Sequence, residues 1–574
     1  MLFEHKVYQF IVNENADLEV LLGTLSRRIN PNFGSGFAII VDSIGDISGI
    51  VEDSDLRKFL FKFPNSKLDI KELMRKDFIS VDAGLDKSQM ISEIISQIDL
   101  RGWDTSLPVR IIPVLKNRKP VGLLDTEEIQ LALQQQKSNY VVIGLGYVGL
   151  TLAISLAHID RNVIGIDTDR TRIDKLKEFG SYIFEPGIEN LLKTHLGKNL
   201  SVGNSYSLIS SKAGIKNIYF ICVGSPLDSN SKPNLNNLLL VIEDLIKILK
   251  QGDVIVMRST VPIGFGKHVI SLVESNLNWK VGVDFHYVAA PERTVEGNAL
   301  KEIRDLPQIL SGATNSCQLI GLSVFQNLSS SVTPVNKIEA AELIKLIGNA
   351  YRDYSFGFSN YFIDICQRNK LDINLIIEAS NRGYPRSNIP VPSLGVGGPC
   401  LSKDSYFLPE VSSLNERSPL VVARRVNELI PSLVVKFISH SISNIKQFKC
   451  LGIGIAFKGT PETNDFRNSP GIDFLDLLKM EVSKINIWDS SISKDEVDLD
   501  FSFHSENDDY DFYAILNNNP KNLDFLESRV LKCNFSEIII FDPWRLLTPS
   551  QIKFSSVIRD IHYFSLSHYE KVSI

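Results

Sequence analysis

One short loop of the chain carries residue types that suit covalent catalysis. Cys400 follows a Gly-Gly-Pro turn at residues 397–399, and Lys403 and Asp404 come three and four residues after it. A thiolate is a strong nucleophile, and a nearby cation such as Lys403 lowers the pKa of a thiol. Cysteine is more often a buried apolar residue, but the glycine, proline and charged neighbours favour an accessible loop here. The segment therefore predicts that Cys400 is a nucleophile.

A second motif lies some 250 residues earlier and reads Gly-Leu-Gly-Tyr-Val-Gly at residues 144–149. It follows a buried-type strand pattern and precedes an apolar helical pattern, which is the context in which such a loop binds a dinucleotide pyrophosphate. Asp167 ends the next predicted strand, where an acid binds the ribose hydroxyls of NAD and disfavours the 2′-phosphate of NADP. The two motifs together predict an NAD-dependent oxidation coupled to an acylated cysteine.

The composition limits the partners of the chain. Its 574 residues exceed the size of one core, so several domains are expected. A net charge of -6 gives no general reason to expect nucleic acid or an anionic membrane as partner. The six cysteines have no Cys-x-x-Cys pair, and we found no signal-peptide pattern and no run of about 20 apolar residues. These features favour a cytoplasmic protein without a metal site or disulfide framework.

Residues 1–135 contain a weak internal repeat. The segments 37–42 and 49–56 are echoed by 111–115 and 121–129, each as strand, turn, strand and helix. The repeat resembles a pair of CBS motifs, small modules that often bind adenosyl nucleotides and regulate an attached enzyme. Where such motifs usually carry a hydroxyl and then an Asp, the first copy has Glu52 and Asp55, and the second has Asp125 and Glu128. Because an acid there repels a phosphate, we favour a structural or oligomerising role over a nucleotide sensor.

The rest of the chain predicts an α/β fold with two Rossmann-like, doubly wound domains joined by a long central helix. A polar helical stretch at 126–138 connects the small α+β repeat to the first of them. The expected domains are 1–135, the CBS-motif pair; 138–334, the NAD-binding domain; 335–435, a helical domain that carries the cysteine loop; and 436–574, the second Rossmann-like domain. The expected strands are 140–143, 162–167, 217–223, 253–257, 283–289, 450–457, 485–489 and 538–542, and the long helix covers 335–368.

From about residue 138 to the end, six motifs in order resemble the UDP-glucose/GDP-mannose dehydrogenase family, the NAD-dependent nucleotide-sugar 6-dehydrogenases. Besides the glycine and cysteine loops, they are Arg-Ser-Thr-Val-Pro-Ile-Gly at 258–264, Ala-Pro-Glu-Arg-Thr-Val-Glu-Gly at 290–297, Lys-Leu-Ile-Gly-Asn-Ala at 345–350, and Phe-Lys-Gly-Thr with Asp-Phe-Arg-Asn-Ser-Pro within 457–470. The resemblance implies NAD as cofactor, a UDP-sugar as substrate and a homo-oligomer that pairs through the central helix. It also implies a four-electron oxidation of the sugar C6 alcohol to the uronate, for polysaccharide biosynthesis.

The resemblance assigns four catalytic residues around an intermediate held on the cysteine. Cys400 is expected to form a thiohemiacetal and then a thioester, and Asp404 is expected to act as a base or proton carrier. Lys345 and Asn349 share a helix face at a spacing of four. They match the family residues that stabilise the developing oxyanion.

Three further residues have catalytic roles only through the resemblance. Thr260 and Glu296 match residues that hold the catalytic water, and Glu292 is an additional acid–base candidate. The ordinary alternatives are that Thr260 caps a turn and that both glutamates are solvated loop residues.

Binding residues follow from the same resemblance. The expected cofactor-binding residues are Gly144, Gly146, Tyr147, Val148, Gly149, Asp167, Arg172, Ser225, Thr260, Glu296, Lys403 and Arg467. The expected substrate-binding residues are Lys345, Asn349, Arg386, Ile389, Ser393, Gly397, Lys458 and Arg545, the last of which has an ordinary alternative as a surface arginine.

Two departures from the family pattern bear on function. Gly-Ser-Pro replaces the usual threonine-proline at residues 224–226, and Ser225 keeps the hydroxyl. The Gly-Gly-Pro-Cys loop and the segment 383–390 resemble the branch that acts on N-acetylated sugars, so UDP-N-acetylmannosamine or UDP-N-acetylglucosamine is expected before UDP-glucose. Two alternatives stay open: a two-electron dehydrogenase of similar fold, and a non-catalytic NAD-binding regulator in which the repeat is the working part.

Overall fold

The computed structural model describes most of the chain. The described residues are 7–62 except 31, 32 and 35; 69–101 except 86–89, 91–92, 95 and 98–99; and 111–125, 138–209, 215–408, 418–494, 497–547 and 553–573. The predicted helical stretch at 126–138 lies outside these residues except for its last position, and Glu128 lies outside them as well. In the described part of the chain, no helix has the length and apolar character needed to cross a bilayer.

The N-terminal region contains two three-stranded sheets with the same topology. Its strands are β1 (Ile11–Asn13), β2 (Arg28–Asn30), β3 (Phe33–Gly34), β4 (Phe37–Val41), β5 (Ile47–Glu52), β6 (Val81–Asp82), β7 (Ile111–Lys116) and β8 (Lys119–Asp125). In the order β1-β4-β5 and again in β6-β7-β8, a parallel pair is followed by an antiparallel pair. The helices described here are Leu18–Leu25, Asp53–Lys62 and Ile70–Leu73. The shared topology matches the repeat seen in the sequence.

The next region forms an eight-stranded sheet. Its strands are β9 (Ser138–Ile143), β10 (Asn162–Ile166), β11 (Leu200–Gly203), β12 (Lys216–Ile221), β13 (Val254–Met257), β14 (His286–Ala289), β15 (Gln308–Gly312) and β16 (Val332–Pro334). The order is β11-β10-β9-β12-β13-β14-β15-β16, with only the β14–β15 pair antiparallel. Because the order reverses between β9 and β12, their carboxyl ends flank a crevice of the type that binds nucleotides.

Helices cover both faces of this sheet. They are Tyr147–His158, Arg170–Lys177, Ile188–His195, Asn236–Ile248, Phe265–Leu277, Ala299–Asp305 and Asn315–Phe325. The central strands are apolar along almost their whole length, as expected for parallel strands buried on both faces. Val142 and Phe220, for example, pair across β9 and β12 and are completely buried.

A second sheet repeats this design with seven strands. They are β17 (Lys449–Ile453), β18 (Lys484–Trp488), β19 (Ser502–Phe503), β20 (Phe512–Ile515), β21 (Glu537–Phe541), β22 (Asp560–Phe564) and β23 (Tyr569–Ser573), in the order β19-β18-β17-β20-β21-β22-β23. Only the last pair is antiparallel. Helices Pro470–Leu478 and Lys521–Val530 pack against the sheet. The prediction of a second doubly wound unit is confirmed in its topology.

Between the two sheets lies the predicted long helix, Ile338–Asn369, which is hereafter called the central helix. At a rise of 1.5 Å per residue it is about 48 Å long, and it packs lengthwise against the helix Pro419–Ser441. The shorter helices Ile373–Asn381 and Leu401–Asp404 complete the region. The apolar positions Ile347, Tyr351 and Phe358 lie on the exposed surface of the central helix, so that helix is a spine with one uncovered apolar face.

Candidate active site

The glycine loop lies at the carboxyl end of β9 and begins the helix Tyr147–His158. Gly144 has a φ of +87°, and a Cβ on Gly149 would lie 1.8 Å from the Gly144 carbonyl oxygen. A Cβ on Gly146 would meet nothing within 4 Å, so the chain there borders open space at the N-terminus of the helix. Unpaired N–H groups at such a terminus bind phosphate. The loop therefore has the shape and donors that a dinucleotide pyrophosphate requires.

Asp167 connects this loop to the end of β10. Its buried carboxylate accepts the Leu145 N–H at 2.7 Å through Oδ2 and the Asp169 N–H at 2.9 Å through Oδ1. Arg172 lies 3.5 Å from Asp167 and 3.2 Å from Asp169. Since both acids share the charge of Arg172, little positive charge is left for the 2′-phosphate of NADP.

The central helix presents Lys345 and Asn349 to the cysteine loop. Asn349 donates from Nδ2 to Asp404 Oδ2 at 2.7 Å, and Lys403 Nζ lies 2.6 Å from Asp404 Oδ1. Asp404 is fully buried, so both of its oxygens are committed to these two donors. The half-buried Lys345 makes no hydrogen bond or ion pair with a residue that the structure describes. Its ammonium is available to a negatively charged oxygen in the cleft.

Cys400 is exposed as a residue, but the walls of the cleft shield its thiol. Burial raises the pKa of Cys400, Lys345 opposes this effect, and the carboxylates of Asp404 and Glu296 add to it. Lys403 lowers the pKa of the thiol, as the sequence predicted, but its charge is paired with Asp404 and burial outweighs it, so the net pKa of Cys400 is raised.

Glu296 lies where the loop after β14 meets the second unit. Its Oε2 accepts the Thr463 hydroxyl at 3.3 Å, its backbone carbonyl accepts Lys458 Nζ at 2.6 Å, and its Oε1 lies 3.9 Å from Arg467. Burial and the Asp465 carboxylate raise the pKa of Glu296 to about 7, and burial lowers the pKa of Lys458 to about 8. A carboxylate with a pKa near neutrality suits general base catalysis.

The loop after β13 joins this cleft from the cofactor side. The Ser225 hydroxyl donates to the Thr260 carbonyl at 2.6 Å, and Lys403 Nζ lies 3.5 Å from the same hydroxyl. Thr260 and Lys345 line one small cavity. The expected cofactor residues Ser225 and Lys403 and the expected water-binding Thr260 are thus brought together.

Glu292 is held differently from the other predicted acids. It forms a buried ion pair with Arg258, and its Oε1 accepts the N–H groups of Arg293 and Thr294 at 2.7 and 2.9 Å. Burial acts to raise the pKa of Glu292, but Arg258 and these N–H groups outweigh it and the pKa is lowered. This arrangement favours a permanently charged, positioning carboxylate over an acid–base catalyst.

Three of the expected substrate residues, Gly397, Ile389 and Ser393, are fixed by contacts with other segments of the chain. A Cβ on Gly397 would lie 2.1 Å from the Asn468 carbonyl oxygen, which shows how closely the cysteine loop packs on the second unit. Ile389 is fixed by Asn381 through two hydrogen bonds of 3.0 and 2.8 Å, and Ser393 donates its N–H to Asn360 at 2.9 Å.

The two expected arginines make their contacts elsewhere. Arg386 is exposed and bonds to the Tyr384 hydroxyl at 3.0 Å. Arg545 forms an ion pair with Asp372 at the start of the helix Ile373–Asn381. Neither contact joins these side chains to the residues around Cys400.

Sequence reasoning missed several residues that shape the site. Glu185 is buried and accepts hydrogen bonds from the Tyr147 hydroxyl and from the N–H groups of Gly297 and Leu300, the last two at 3.0 Å. Asp353 is fully buried and binds Arg424. A signal for Asp353 was available, since it follows Lys345 and Asn349 at the same spacing of four along the central helix.

Two models of one protein family match separate parts of the chain. The NAD-binding domain model of the UDP-glucose/GDP-mannose dehydrogenase family matches residues 138–329, and the central domain model of that family matches residues 339–428. UDP-N-acetyl-D-mannosamine dehydrogenase of Pyrococcus horikoshii is 30% identical over 355 residues, which are 61% of this chain and 82% of that protein. This chain belongs to the UDP-glucose/GDP-mannose dehydrogenase family.

Other members of the family show similar agreement. UDP-N-acetyl-D-mannosamine dehydrogenase of Campylobacter jejuni is 30% identical over 62% of this chain and 88% of its own length. NDP-N-acetyl-D-galactosaminuronic acid dehydrogenase of Ralstonia nicotianae is 28% identical over 59% of this chain and 79% of its own length. The solved UDP-D-ManNAc dehydrogenase of Pyrococcus horikoshii superposes with a TM-score of 0.63 at 25% identity, covering 75% of this chain and 99% of that one.

Family membership confirms three predictions made from the sequence. The chain has the α/β, Rossmann-like fold with parallel sheets, it is an NAD-dependent oxidoreductase, and its substrates are nucleotide sugars. The matches to the two family models begin at residues 138 and 339, so the N-terminal repeat lies outside both of them.

Replacement of Gly146 by alanine is expected to weaken NAD binding without loss of stability. The new methyl group meets no protein atom within 4 Å, and it enters the space that the pyrophosphate needs. We expect NAD affinity to fall about tenfold or more, equal to about 1.4 kcal/mol, with an unchanged melting temperature. Titration calorimetry and thermal unfolding measure the two quantities.

Gly149→Ala is the matched control for this variant, because its methyl group would lie 1.8 Å from a backbone oxygen. It is expected to lower the melting temperature. Undiminished NAD affinity in Gly146→Ala would show that the pyrophosphate lies elsewhere.

Proposed function

We propose that this enzyme oxidises the C6 alcohol of a UDP-linked sugar to the carboxylate by four electrons, with the intermediate held on Cys400. The observation that carries the proposal is the set of groups around that thiol. Lys345 and Asp404, which is bonded to Asn349, both act on the charge of that sulfur, and Glu296 acts on it from the loop after β14. This set faces the crevice beside the glycine loop, where the nicotinamide cofactor binds.

When bound, NAD accepts a hydride from the C6 carbon in each of two oxidations. In the first oxidation the C6 alcohol also loses its hydroxyl proton and becomes an aldehyde. Sγ of Cys400 then forms a bond to the aldehyde carbon while the thiol proton passes to the oxygen, giving a thiohemiacetal. The second oxidation removes the remaining hydride and the hydroxyl proton and leaves a thioester. Water breaks the C–S bond, giving the carboxylic acid and the free thiol.

Each proposed catalytic residue has a task that its surroundings favour. The ammonium of Lys345 and the amide of Asn349 stabilise the negative oxygen that forms when sulfur or water adds to C6. Asp404 orients Asn349 through the 2.7 Å hydrogen bond and carries protons to and from the cleft. Glu296, with a pKa of about 7, removes a proton from the attacking water, which Thr260 helps to place.

The substrate that we favour is an N-acetylated UDP-sugar, UDP-N-acetylmannosamine or UDP-N-acetylglucosamine, with UDP-glucose as the alternative. The relatives named above act on N-acetylated sugars, and the Gly-Gly-Pro-Cys loop agrees with that branch. We further propose that the product serves polysaccharide biosynthesis. A cytoplasmic location suits the six free cysteines, because thiols stay reduced there.

The stoichiometry of NADH tests this function directly. Purified enzyme with NAD and a panel of UDP- and GDP-sugars is expected to form two NADH for each sugar consumed, with the highest kcat/KM for an N-acetylated UDP-sugar. One NADH per sugar would support a two-electron dehydrogenase instead. No turnover with any sugar would support the non-catalytic regulator, which the retained Cys400, Lys345, Asn349 and Asp404 argue against.

We propose that residues 1–135 form a CBS-motif pair with a structural or oligomerising role. The structure adds a reason to the one found in the sequence: Arg75 pairs with both acids of the first copy, at 2.7 Å from Glu52 and 2.9 Å from Asp55. Asp55 also accepts the Glu52 N–H at 2.9 Å. A nucleotide ribose would have to displace these contacts. We propose the boundaries 138–334, 335–435 and 436–574 for the domains that follow.

We also propose that two copies of the chain pair through the central helix. Large apolar side chains on its outer face are exposed at alternating spacings of four and three: Ile347, Tyr351, Tyr354, Phe358, Tyr361 and Ile365. This spacing continues over five turns and fits a seam between two helices. Sedimentation equilibrium is expected to give twice the 64.3 kDa of one chain or a multiple of it. A monomer at micromolar concentration would contradict the pairing.

A further inference from the structure

A buried polar cluster joins the two long helices behind the cysteine loop. Arg424, on the helix Pro419–Ser441, forms an ion pair of 2.9 Å with Asp353 on the central helix. Asp353 is completely buried and Arg424 is 2% exposed. Asn427 adds a hydrogen bond of 2.8 Å to the same carboxylate oxygen of Asp353. We call these three residues, with Ser405, the loop clamp.

The loop clamp holds the cysteine loop on both sides of Cys400. Arg424 donates from Nη2 to the Val396 carbonyl at 2.8 Å, and its Nη1 lies 3.5 Å from the Leu401 carbonyl. Ser405 follows the catalytic Asp404 and donates its hydroxyl to Asp353 Oδ2 at 2.8 Å. The planar guanidinium makes these contacts from two separate nitrogens held in a fixed geometry, whereas an ammonium has all of its donors on one atom.

The position of Asp353 in the central helix matters for the chemistry. Lys345, Asn349 and Asp353 follow one another at intervals of four, so one helix face carries two proposed catalytic groups and the anchor of the loop. Asn349 reaches Asp404 directly, and Asp353 reaches the next residue, Ser405. The register between helix and loop is therefore fixed at two successive turns.

Stability alone does not explain a charged pair at this place. A buried ion pair contributes little net stability compared with apolar side chains of similar size. Here, however, the backbone carbonyls of an irregular loop need donors, and Arg424 supplies one to Val396 while its charge is balanced by Asp353. The cluster thus specifies one conformation of the loop.

We propose that Asp353 and Arg424 are positioning residues that hold Cys400 and Asp404 against Lys345 and Asn349 for the second oxidation. The inference rests on the proposed four-electron function. The first oxidation needs no bond to sulfur, whereas the second needs the thiohemiacetal carbon on Cys400 to face the cofactor. A shift of about 1 Å in such a geometry costs about 100-fold in rate. Loss of the clamp therefore affects the second oxidation more than the first.

The test compares Arg424→Lys and Ser405→Ala with the wild-type enzyme and with Asp364→Asn. Asp364 pairs with Arg368 at 2.8 Å on the exposed face of the same central helix, so its variant is the matched control. NADH formed per UDP-sugar consumed is measured with semicarbazide present to capture any aldehyde that leaves the site. The rate of Cys400 alkylation by iodoacetamide and the KM for NAD are measured in parallel.

We expect Arg424→Lys to lower the ratio of NADH to sugar from two towards one and to change the alkylation rate, with the KM for NAD within about twofold of the wild type. Ser405→Ala removes a single hydrogen bond and is expected to fold normally with a smaller shift of the ratio in the same direction. Ratios that stay at two in both variants, or equal losses of both oxidations, would overturn the proposal. A wild-type ratio of one would instead contradict the proposed function, so the two failures are distinguishable.

Discussion

Replacement of Cys400 by serine is expected to stop release of the sugar acid while NAD binding stays intact. A serine hydroxyl adds to an aldehyde less readily than a thiol does, and an oxygen ester is hydrolysed more slowly than a thioester. The loss is expected to reach about 10³-fold or more in the rate of acid formation, which corresponds to about 4 kcal/mol of barrier. Any residual turnover should yield one NADH per sugar, because the first oxidation needs no sulfur. The measurements are acid release by chromatography and NAD affinity by calorimetry.

Cys366→Ala provides the matched control for this variant. Cys366 is a buried residue near the C-terminal end of the central helix and packs among apolar side chains. Its replacement is therefore expected to leave kcat within about twofold. Acid formation at a normal rate by Cys400→Ser would refute covalent catalysis at this position. That result would favour the alternative in which the enzyme is a two-electron dehydrogenase.

The fold was largely predictable because each of its main strands is buried on both faces and therefore reads as a continuous apolar run. The strands expected at 162–167 and 485–489 appear as Asn162–Ile166 and Lys484–Trp488, each followed directly by an acid. The central helix was predicted from a different signal, the helical spacing of its apolar residues over a long uninterrupted segment. Periodicity does not show which partner covers an apolar face, so the pattern alone did not show that Ile347, Tyr351 and Phe358 are exposed; only the resemblance to the family implied a pairing through this helix.

The candidate site was less predictable, because its properties depend on contacts between distant segments. The sequence placed Lys403 beside Cys400 but could not show that Asp404 takes up its charge. It suggested Glu292 as an acid–base group without showing that Arg258, 34 residues away, neutralises it. Likewise, Arg545 looked available for a diphosphate, yet Asp372 binds it from another helix.

Activity is expected to depend on pH through two groups that meet between the cofactor unit and the second unit. Glu296 must be ionised to act as a base, so kcat/KM should rise as the pH passes through about 7. Lys458 donates its strong, charge-assisted bond to the Glu296 carbonyl only while it is protonated, so kcat/KM should fall as the pH passes through about 8. Asp465 and Arg467 face the same carboxylate with opposite effects, since Asp465 raises the pKa of Glu296 and Arg467 lowers it. The expected profile is a narrow bell centred near 7.5, measured with saturating NAD.

The same raised pKa affects stability, with a definite sign. Between the unfolded value of about 4.3 and about 7, the folded protein holds a proton on Glu296 that the unfolded chain has lost. The free energy of unfolding should therefore decrease as the pH rises through this range. In Glu296→Gln that part of the decrease should disappear, as urea unfolding at pH 5 and pH 8 can measure.

Substitution of the two groups separates their contributions to the profile. The glutamine side chain in Glu296→Gln cannot accept a proton, so the acid limb of the profile near pH 7 should vanish. The value of kcat should fall about 10²- to 10⁴-fold, the usual range for loss of a general base. Lys458→Arg keeps its charge at high pH, so the alkaline limb should move above pH 9 while the acid limb stays in place. Glu243→Gln, on the exposed face of the helix Asn236–Ile248, is the control and should retain the full bell. An acid limb that persists in Glu296→Gln would show that another group, with Asp404 the first candidate, supplies the base for the attacking water.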